Sequence, residues 1–202
     1  MLTKLKKQIQ QLLTSEAKIA HRIGFTPNRL SALGIVLALL SAVAYWKASV
    51  NMLLLVLAAI LLLFSGFCDA LDGIVARLYG ETTVFGGFLD SLLDRYADAA
   101  VFVGIILGGF SDFYWGLVAM VGALLVSYVR ARAEAAGVKM ESVGLAERAE
   151  RIIILIVASL ITLVWSEALW WSIVLLAFLT NLTVLQRVVY FYKASKKIIV
   201  KN

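Results

Sequence analysis

The sequence predicts an all-α integral membrane protein with six transmembrane helices, preceded by an amphipathic helix that lies in the membrane interface. Of its 202 residues, 62% are hydrophobic and 16% are charged, whereas a soluble domain is nearer half apolar and a quarter charged. A transmembrane helix needs about 20 apolar residues, so this length allows six spans with short loops. We therefore divide the chain into a juxtamembrane helix over residues 1–25 and one membrane domain over residues 26–202.

The N-terminal helix is predicted from apolar residues that recur every three to four positions among lysines and glutamines. These residues are Leu2, Leu5, Ile9, Leu12 and Leu13. Their apolar face is too narrow to cross a bilayer, so we expect the helix to lie in the cytoplasmic interface. The alternative is a helix packed on the protein's own cytoplasmic surface.

Six apolar stretches follow, and Thr26-Pro27 marks the start of the first, with Thr as N-cap and Pro in the first turn. The predicted spans cover about residues 28–46, 51–79, 84–109, 113–136, 148–165 and 168–192. The second is longer than the hydrocarbon requires. We therefore expect its last part, which contains Asp69 and Arg77, to emerge into the interface.

Basic and aromatic residues predict the orientation. With six spans both termini lie on one side, and of the 19 Lys and Arg residues only Lys47 falls on the other. The side rich in Lys and Arg is normally cytoplasmic. All the tryptophans fall at the opposite ends of the spans, as an aromatic belt does: Trp46, Trp115, Trp165, Trp170 and Trp171. We predict a multi-pass protein of the cell (plasma) membrane with both termini and the active site in the cytoplasm.

The composition also excludes several classes of site. The net charge is +6, but the basic residues sit at the ends of apolar runs, which suits anionic membrane lipids and anionic substrates rather than nucleic acid. Cys68 is the only cysteine and His21 the only histidine. An intrachain disulfide, a histidine-rich metal site and a Ser-His-Asp triad within one chain are therefore impossible.

Acidic residues inside apolar spans are costly and therefore indicate function. One face of the second predicted span carries Asp69, Asp72, Gly73, Ala76 and Arg77. One face of the third carries Gly86, Asp90 and Asp94, and Asp98 continues the same stripe one turn further. Spacings of three and four residues define both faces. If the faces meet, four carboxylates converge near the cytoplasmic surface.

Four carboxylates in a cleft of low dielectric constant need counter-charge. A hard divalent cation fits best, Mg²⁺ first, with Mn²⁺ possible. The small residues on these faces allow close helix packing or a ligand, and Arg77 offers donors to phosphate. Together they indicate phosphoryl transfer. An ion-coupled carrier is the alternative from another class, although carriers favour binding sites at the membrane midplane.

The same residues resemble the signature of the CDP-alcohol phosphotransferase family. The motif is Asp69-x-x-Asp72-Gly73-x-x-Ala76-Arg77, eight residues, then Gly86-x-x-x-Asp90-x-x-x-Asp94. The resemblance implies a homodimeric membrane enzyme that uses a CDP-linked lipid and releases CMP. It implies that Asp69, Asp72 and Asp90 bind metal, and that Asp94 is metal-linked and acts as the general base. It further implies that CDP is held by Asn28, Asp69, Gly73, Ala76 and Arg77.

The alcohol acceptor is predicted from basic residues further along the chain. The loop between the fourth and fifth spans is dense in charge, and we expect i,i+4 ion pairs between Arg130 and Glu134 and between Glu147 and Arg151. Arg148 and Arg187 have no evident acidic partner in the sequence, which favours an acceptor that carries phosphate. The alternative is that these residues only anchor the protein, with Arg187 reaching toward the interface.

Two segments, Ser127–Ala135 and Glu147–Arg151, resemble the phosphatidylinositol-phosphate synthase branch, whose archaeal counterpart makes archaetidylinositol phosphate. The resemblance implies that Arg130, Arg148 and Arg187 hold the phosphate of inositol 1-phosphate, and that the donor is CDP-archaeol or CDP-diacylglycerol. Ala149 stands where bacterial members commonly have proline, which favours the archaeal type. Glycerol 3-phosphate is the alternative acceptor.

Overall fold

All regular secondary structure in the described part of the chain is helical, as the sequence predicts. The structure is a computed structural model, described over residues 13–140 and 143–199, with side chains to residue 196. The first helix, α1, covers residues 13–22 of this part. Six longer helices follow: α2 (Pro27–Lys47), α3 (Leu53–Tyr79), α4 (Val84–Leu107), α5 (Phe113–Ala135), α6 (Arg148–Ile161) and α7 (Ala168–Ile199).

Four of the described helices are long and apolar enough to cross a membrane: α2, α3, α5 and α7. Between 28% and 44% of each apolar window is buried inside the protein, so most of these apolar side chains face outward, as they do against lipid. α4 does not meet this measure because Asp90, Asp94, Arg95 and Asp98 interrupt it. α6 has 14 residues, fewer than a span needs.

α6 is shorter than the predicted stretch 148–165 for a local reason. The Thr162 hydroxyl donates to the Ala158 carbonyl at 2.8 Å and accepts the Leu169 amide at 3.0 Å. The two hydrogen bonds of this side chain therefore connect the end of α6 to the first turn of α7. The predicted sixth helix, in contrast, continues past residue 192 to Ile199.

The turn between α3 and α4 brings the two acidic faces to one end of the bundle. Gly80 ends α3 in the left-handed conformation, with φ 68°, which glycine adopts at little cost. Thr83 then caps α4, because its hydroxyl accepts the Gly86 amide at 2.9 Å. Thr26 occupies the predicted N-cap position of α2, with Pro27 in the first turn, but its side chain makes no capping hydrogen bond.

The six long helices form a closed ring. Their main contacts join α2 to α3, α3 to α6, α6 to α7, α7 to α5, α5 to α4, and α4 back to α2. Small residues bring the neighbours close, since a Cβ atom at Gly104 on α4 would overlap the backbone of Ala42 on α2. In the middle, the fully buried Tyr45 hydroxyl pairs with Ser159 on α6 at 2.7 Å. α3 is therefore held between α2 and α6, which positions the face of α3 that carries the acidic residues.

The described part of the N-terminal helix lies on the protein's own surface. Ala17 is completely buried, and it packs with Leu13 against α2 and α3. Ile19 on the same helix is 59% exposed. This contact matches the alternative of a helix packed on the protein. The predicted interfacial residues Leu2, Leu5, Ile9 and Leu12 lie outside the described residues.

Candidate active site

Three aspartates from two helices converge where α3 and α4 meet. One carboxylate oxygen from each of Asp69, Asp72 and Asp90 lies within 4.8 Å of the other two. We call these three residues the acid cluster. The side-chain spacing along each helix defines its face, and the turn after Gly80 brings the two faces together.

A serine on α2 orients the buried member of the acid cluster. Asp72 is only 5% exposed, and its Oδ2 atom accepts the Ser31 hydroxyl at 2.6 Å. The sequence analysis missed Ser31. Its place in the site could have been inferred, because Ser31 follows Asn28, a predicted CDP-binding residue, by three positions and so lies on the same helix face.

The acid cluster fits a divalent cation. Three carboxylates supply hard oxygen ligands of the kind that Mg²⁺ and Mn²⁺ prefer. Within the described part of the chain, Asp72 and Asp90 form no ion pair with a basic side chain, and Asp69 meets only Arg148, at 3.6 Å. Excess negative charge in a partly buried cleft favours a bound cation. Asp69, Asp72 and Asp90 are therefore the residues that could hold the metal.

A second group of charges adjoins the acid cluster toward α6. Arg148 Nη1 lies 2.6 Å from Asp94 Oδ1 and 3.7 Å from Asp98 Oδ1. Arg151 forms a close ion pair with Asp98. The interpretation that Arg148 lacks an acidic partner is therefore wrong, because the fold supplies partners that lie 50 and 54 positions away in the chain. Asp94 is not one of the three mutually close carboxylates, and its metal-binding and base roles stay predictions.

An open groove borders the acid cluster on the side of α2 and the α3–α4 turn. Its lining residues are Pro27, Asn28, Ser31, Asp72, Gly73, Ala76, Arg77, Glu81, Thr82, Thr83, Gly86, Gly87 and Asp90. The structure thus gathers Asn28, Gly73, Ala76 and Arg77 from the predicted CDP set along one wall. Asp69, the remaining member, lies in the adjoining cleft with Asp94 and Arg148.

Glycine leaves space for polar side chains at two positions of this groove. A Cβ atom at Gly73 would lie 3.3 Å from Arg77 Nη1, so the absent side chain leaves space for the guanidinium. A Cβ atom at Gly86 would lie 2.8 Å from the Thr83 hydroxyl and 3.2 Å from Asn28 Oδ1. A side chain at Gly86 would displace the Thr83 hydroxyl, whereas one at Gly73 would require only a small shift of the flexible Arg77 guanidinium.

The remaining predicted acceptor residues occupy different surroundings. Arg130 pairs with Glu134 at 2.9 Å, as expected. Arg187 is 2% exposed, donates to the carbonyls of Val126 and Val143 at 2.6 and 2.7 Å, and contacts Glu147 at 3.4 Å.

Two of the sequence-based interpretations on this side are wrong. Glu147 contacts Arg187, and Arg151 pairs with Asp98, so the expected i,i+4 pair between Glu147 and Arg151 does not form. Arg187 was also expected to lack an acidic partner, and Glu147 is that partner. Arg130 and Arg151 lie close enough for their charges to act on Arg187.

Comparison with known proteins decides the family. Residues 25–179, most of the chain and all of the groove and acid cluster, match the family described as CDP-alcohol phosphatidyltransferase. The chain belongs to this family. Membership confirms the resemblance carried by the aspartate motif, and it favours an enzyme over an ion-coupled carrier.

Relatives within the CDP-alcohol phosphatidyltransferase family cover the chain almost from end to end. The archaetidylinositol phosphate synthase of Pyrococcus horikoshii is 38% identical over 198 residues, 98% of this chain and 98% of that protein. The archaetidylinositol phosphate synthase of Methanothermobacter thermautotrophicus is 42% identical over 179 residues, 88% of this chain and 89% of that protein.

Solved structures share the fold. The phosphatidylinositol phosphate synthase of Mycobacterium tuberculosis with CDP-DAG bound is 30% identical, with a TM-score of 0.77 over 90% of this chain and 94% of that chain. A structure of the same enzyme in complex with manganese and citrate has a TM-score of 0.76, over 89% and 88%. CDP-alcohol phosphatidyltransferases require a divalent metal, and the acid cluster offers its ligands in this chain.

Proposed function

We propose that this CDP-alcohol phosphatidyltransferase transfers the lipid phosphate group of a CDP-linked lipid to inositol 1-phosphate and releases CMP, in phospholipid biosynthesis. The donor is CDP-archaeol or CDP-diacylglycerol. The observation that carries the proposal is that the groove and Arg148 approach one group of neighbouring carboxylates from two sides. The groove reaches Asp72 and Asp90 from one side, and Arg148 meets Asp69 and Asp94 from the other.

The groove suits the CDP part of the donor. The first turns of α2 and α4 both border it, through Asn28 and Gly86, and exposed amides at helix N-termini attract phosphate oxygens. The Arg77 guanidinium beside Gly73 adds a planar pair of donors for the same group. Asp69, Gly73, Ala76, Arg77 and Asn28 are the residues that we assign to CDP.

The reaction forms one bond and breaks one bond at the lipid-linked phosphorus. An acceptor hydroxyl attacks that phosphorus, the bond to the CMP oxygen breaks, and Asp94 takes the hydroxyl proton. When bound at Asp69, Asp72 and Asp90, with Asp94 linked to it, the divalent metal supplies charge neutralisation for the diphosphate. Asp94 Oδ1 lies 2.6 Å from Arg148 Nη1. The arginine assigned to the acceptor phosphate is therefore next to the carboxylate that accepts the proton of the acceptor hydroxyl.

The acceptor phosphate is assigned to Arg130, Arg148 and Arg187. In the described part of the chain, the buried Nε and Nη1 atoms of Arg148 have no well-aligned hydrogen-bond acceptor despite their ion pairs. An incoming phosphate can therefore compete with these carboxylates for the two donors. Each charge-assisted hydrogen bond contributes about 1.5–3 kcal/mol, so an acceptor without phosphate should lose most of its binding free energy.

The test is the release of CMP from CDP-lipid with a panel of acceptors. We expect turnover with inositol 1-phosphate and none with free inositol. Equal use of free inositol, or a clear preference for glycerol 3-phosphate, would refute the acceptor assignment and leave the family reaction standing.

Arg187 variants test the phosphate assignment directly. Arg187→Ala should raise the KM for inositol 1-phosphate strongly while the KM for CDP-lipid changes little, which also reports that the variant is folded. Lys193→Ala is the matched control, a basic and exposed residue of the same helix. If Arg187→Ala and Arg187→Lys are both mild, Arg187 only anchors the helix.

We also propose that the chain spans the cell membrane six times, with α6 and the residues that follow it up to Trp165 together forming the fifth span, and with both termini and the active site in the cytoplasm. Asp90 and Asp94 belong to a cleft rather than to the lipid-facing surface, which supports α4 as a span. The Trp170 indole donates to Asp112 at 2.8 Å, at the end of the bundle away from the acid cluster, where the aromatic belt is predicted. A homodimer is the assembly that the family resemblance implies, and cross-linking in native membranes tests it.

A further inference from the structure

A buried ion pair lies beside the active site and has no part in the reaction described above. Arg151 on α6 is 3% exposed, and it pairs with Asp98 on α4. Its Nη1 atom also donates to the Ala146 carbonyl at 3.1 Å. A buried guanidinium is costly unless it is paired, so this arrangement requires an explanation.

Asp98 joins two arginines that lie one turn apart on α6. Its Oδ2 atom meets Arg151, and its Oδ1 atom lies 3.7 Å from Arg148 Nη1. Arg151 forms no ion pair with the acid cluster or with Asp94 among the described residues, so it is linked to the site through Asp98. Both arginines, together with Asp98, line one narrow cleft inside the bundle, and Arg148 also lines the cleft that contains the acid cluster.

The position of Arg148 depends on carboxylates on two sides. Asp94 and Asp69 attract it toward the acid cluster, at 2.6 and 3.6 Å. Asp98 attracts it toward the interior of the bundle. Without the charge of Asp98, only Asp94 and Asp69 would attract the guanidinium. The Arg148 Nε atom, which lies 3.6 Å from Asp69, would then be drawn closer to that carboxylate and would be less available to an incoming phosphate.

We propose that Asp98, itself held by Arg151, is a positioning residue that sets the place of Arg148 and thereby the affinity for the phosphorylated acceptor. This inference rests on the proposed function. Asp98 lines neither the groove nor the cleft of the acid cluster, so its effect should reach only the step that uses Arg148. CDP-lipid binding in the groove and metal binding at the acid cluster should be preserved.

The experiment measures steady-state kinetics of the full-length protein, with Mn²⁺ affinity and thermal stability alongside. Asp98→Asn should raise the KM for inositol 1-phosphate about tenfold, which corresponds to about 1.4 kcal/mol. The KM for CDP-lipid and the affinity for Mn²⁺ should stay within about twofold of wild type, well below that tenfold step. Asp98→Glu retains the charge and should keep most of the acceptor affinity. Asp112→Asn, at the other end of the bundle, is the control and should change neither KM.

Two outcomes would overturn the inference. One is an unchanged KM for inositol 1-phosphate in Asp98→Asn. The other is an equal rise in both KM values with a loss of thermal stability, which indicates a structural role only. If Asp98→Asn fails to fold, the double variant Asp98→Asn/Arg151→Gln removes both buried charges together. The proposal requires that this variant raise the KM for inositol 1-phosphate without raising the KM for CDP-lipid, and any other result refutes it.

Failure of the proposed function is recognised separately. If the wild-type protein uses free inositol as readily as inositol 1-phosphate, the acceptor assignment fails before any variant is compared. If the wild type requires inositol 1-phosphate, and Asp98→Asn has the same KM for inositol 1-phosphate as the wild type, only the role of Asp98 is refuted.

Discussion

Ser31 provides the sharpest test of how the acid cluster is built. Its hydroxyl donates to Asp72 Oδ2 at 2.6 Å, and Asp72 is one of the three carboxylates within 4.8 Å of one another. Ser31→Ala removes the donor and leaves the carboxylate free to rotate away from the other two. We expect the variant to fold and to bind the divalent metal more weakly.

The size of the effect follows from the charge and burial of Asp72. A hydrogen bond to a charged group contributes about 1.5–3 kcal/mol. Asp72 is only 5% exposed, so water cannot readily replace the lost donor. Loss of a group that orients a metal ligand typically lowers metal affinity about 10–100-fold. We expect a decrease of that size in Mn²⁺ affinity.

The assay is a titration of the purified protein with Mn²⁺, followed by electron paramagnetic resonance without substrates. The Mg²⁺ dependence of CMP release then gives an independent measure. Ser31→Thr keeps a hydroxyl and should restore most of the affinity. Ser41→Ala is the matched control on the same helix, because the Ser41 hydroxyl donates to the Ala58 carbonyl in the core. Mn²⁺ affinity that is equal in Ser31→Ala and wild type would refute the reasoning.

Two further predictions concern the metal and the base. Chelation with EDTA should abolish CMP release, and Mg²⁺ or Mn²⁺ should restore it, because the acid cluster has too little positive charge around it; full activity after exhaustive chelation would contradict the metal assignment. Asp94→Asn should lower kcat by about 10²–10⁴, the usual contribution of a general base, with CDP-lipid binding largely retained. If this variant turns over at a near-normal rate, the base lies elsewhere and Asp98 becomes the candidate.

Residues close together in the chain were predicted well. The Asp69–Arg77 segment and the Gly86–Asp94 segment each lie on one helix, where spacing alone fixes which side chains share a face. The turn that joins the two helices is short, because Gly80 ends α3 and Thr83 caps α4. A short connection between helices brings their adjoining ends together, so the meeting of the two acidic faces followed from local sequence.

Partners of the buried arginines were predicted poorly. Arg148 and Arg187 were expected to lack acidic partners, yet the first meets Asp94 and Asp98 and the second meets Glu147. Glu147 and Arg151 have the spacing of an ion pair along a helix, but Glu147 occupies the N-cap position of α6. The two side chains therefore turn to different helices, and spacing along one helix does not predict that choice.

The sequence by itself determined the helical class, the apolar segments and the acidic faces. Each of these depends on composition or on spacing within one helix, where backbone geometry fixes the relation between neighbouring side chains. Only the tertiary structure decided that Ser31 supports Asp72 and that Asp98 joins Arg148 to Arg151. These contacts connect residues 41 to 53 positions apart. They exist because α3 packs against α2 and α6, and because the long arginine side chains of α6 reach Asp98 on α4. Helix packing selects such partners by shape and charge in three dimensions, and no periodicity in the chain encodes that selection.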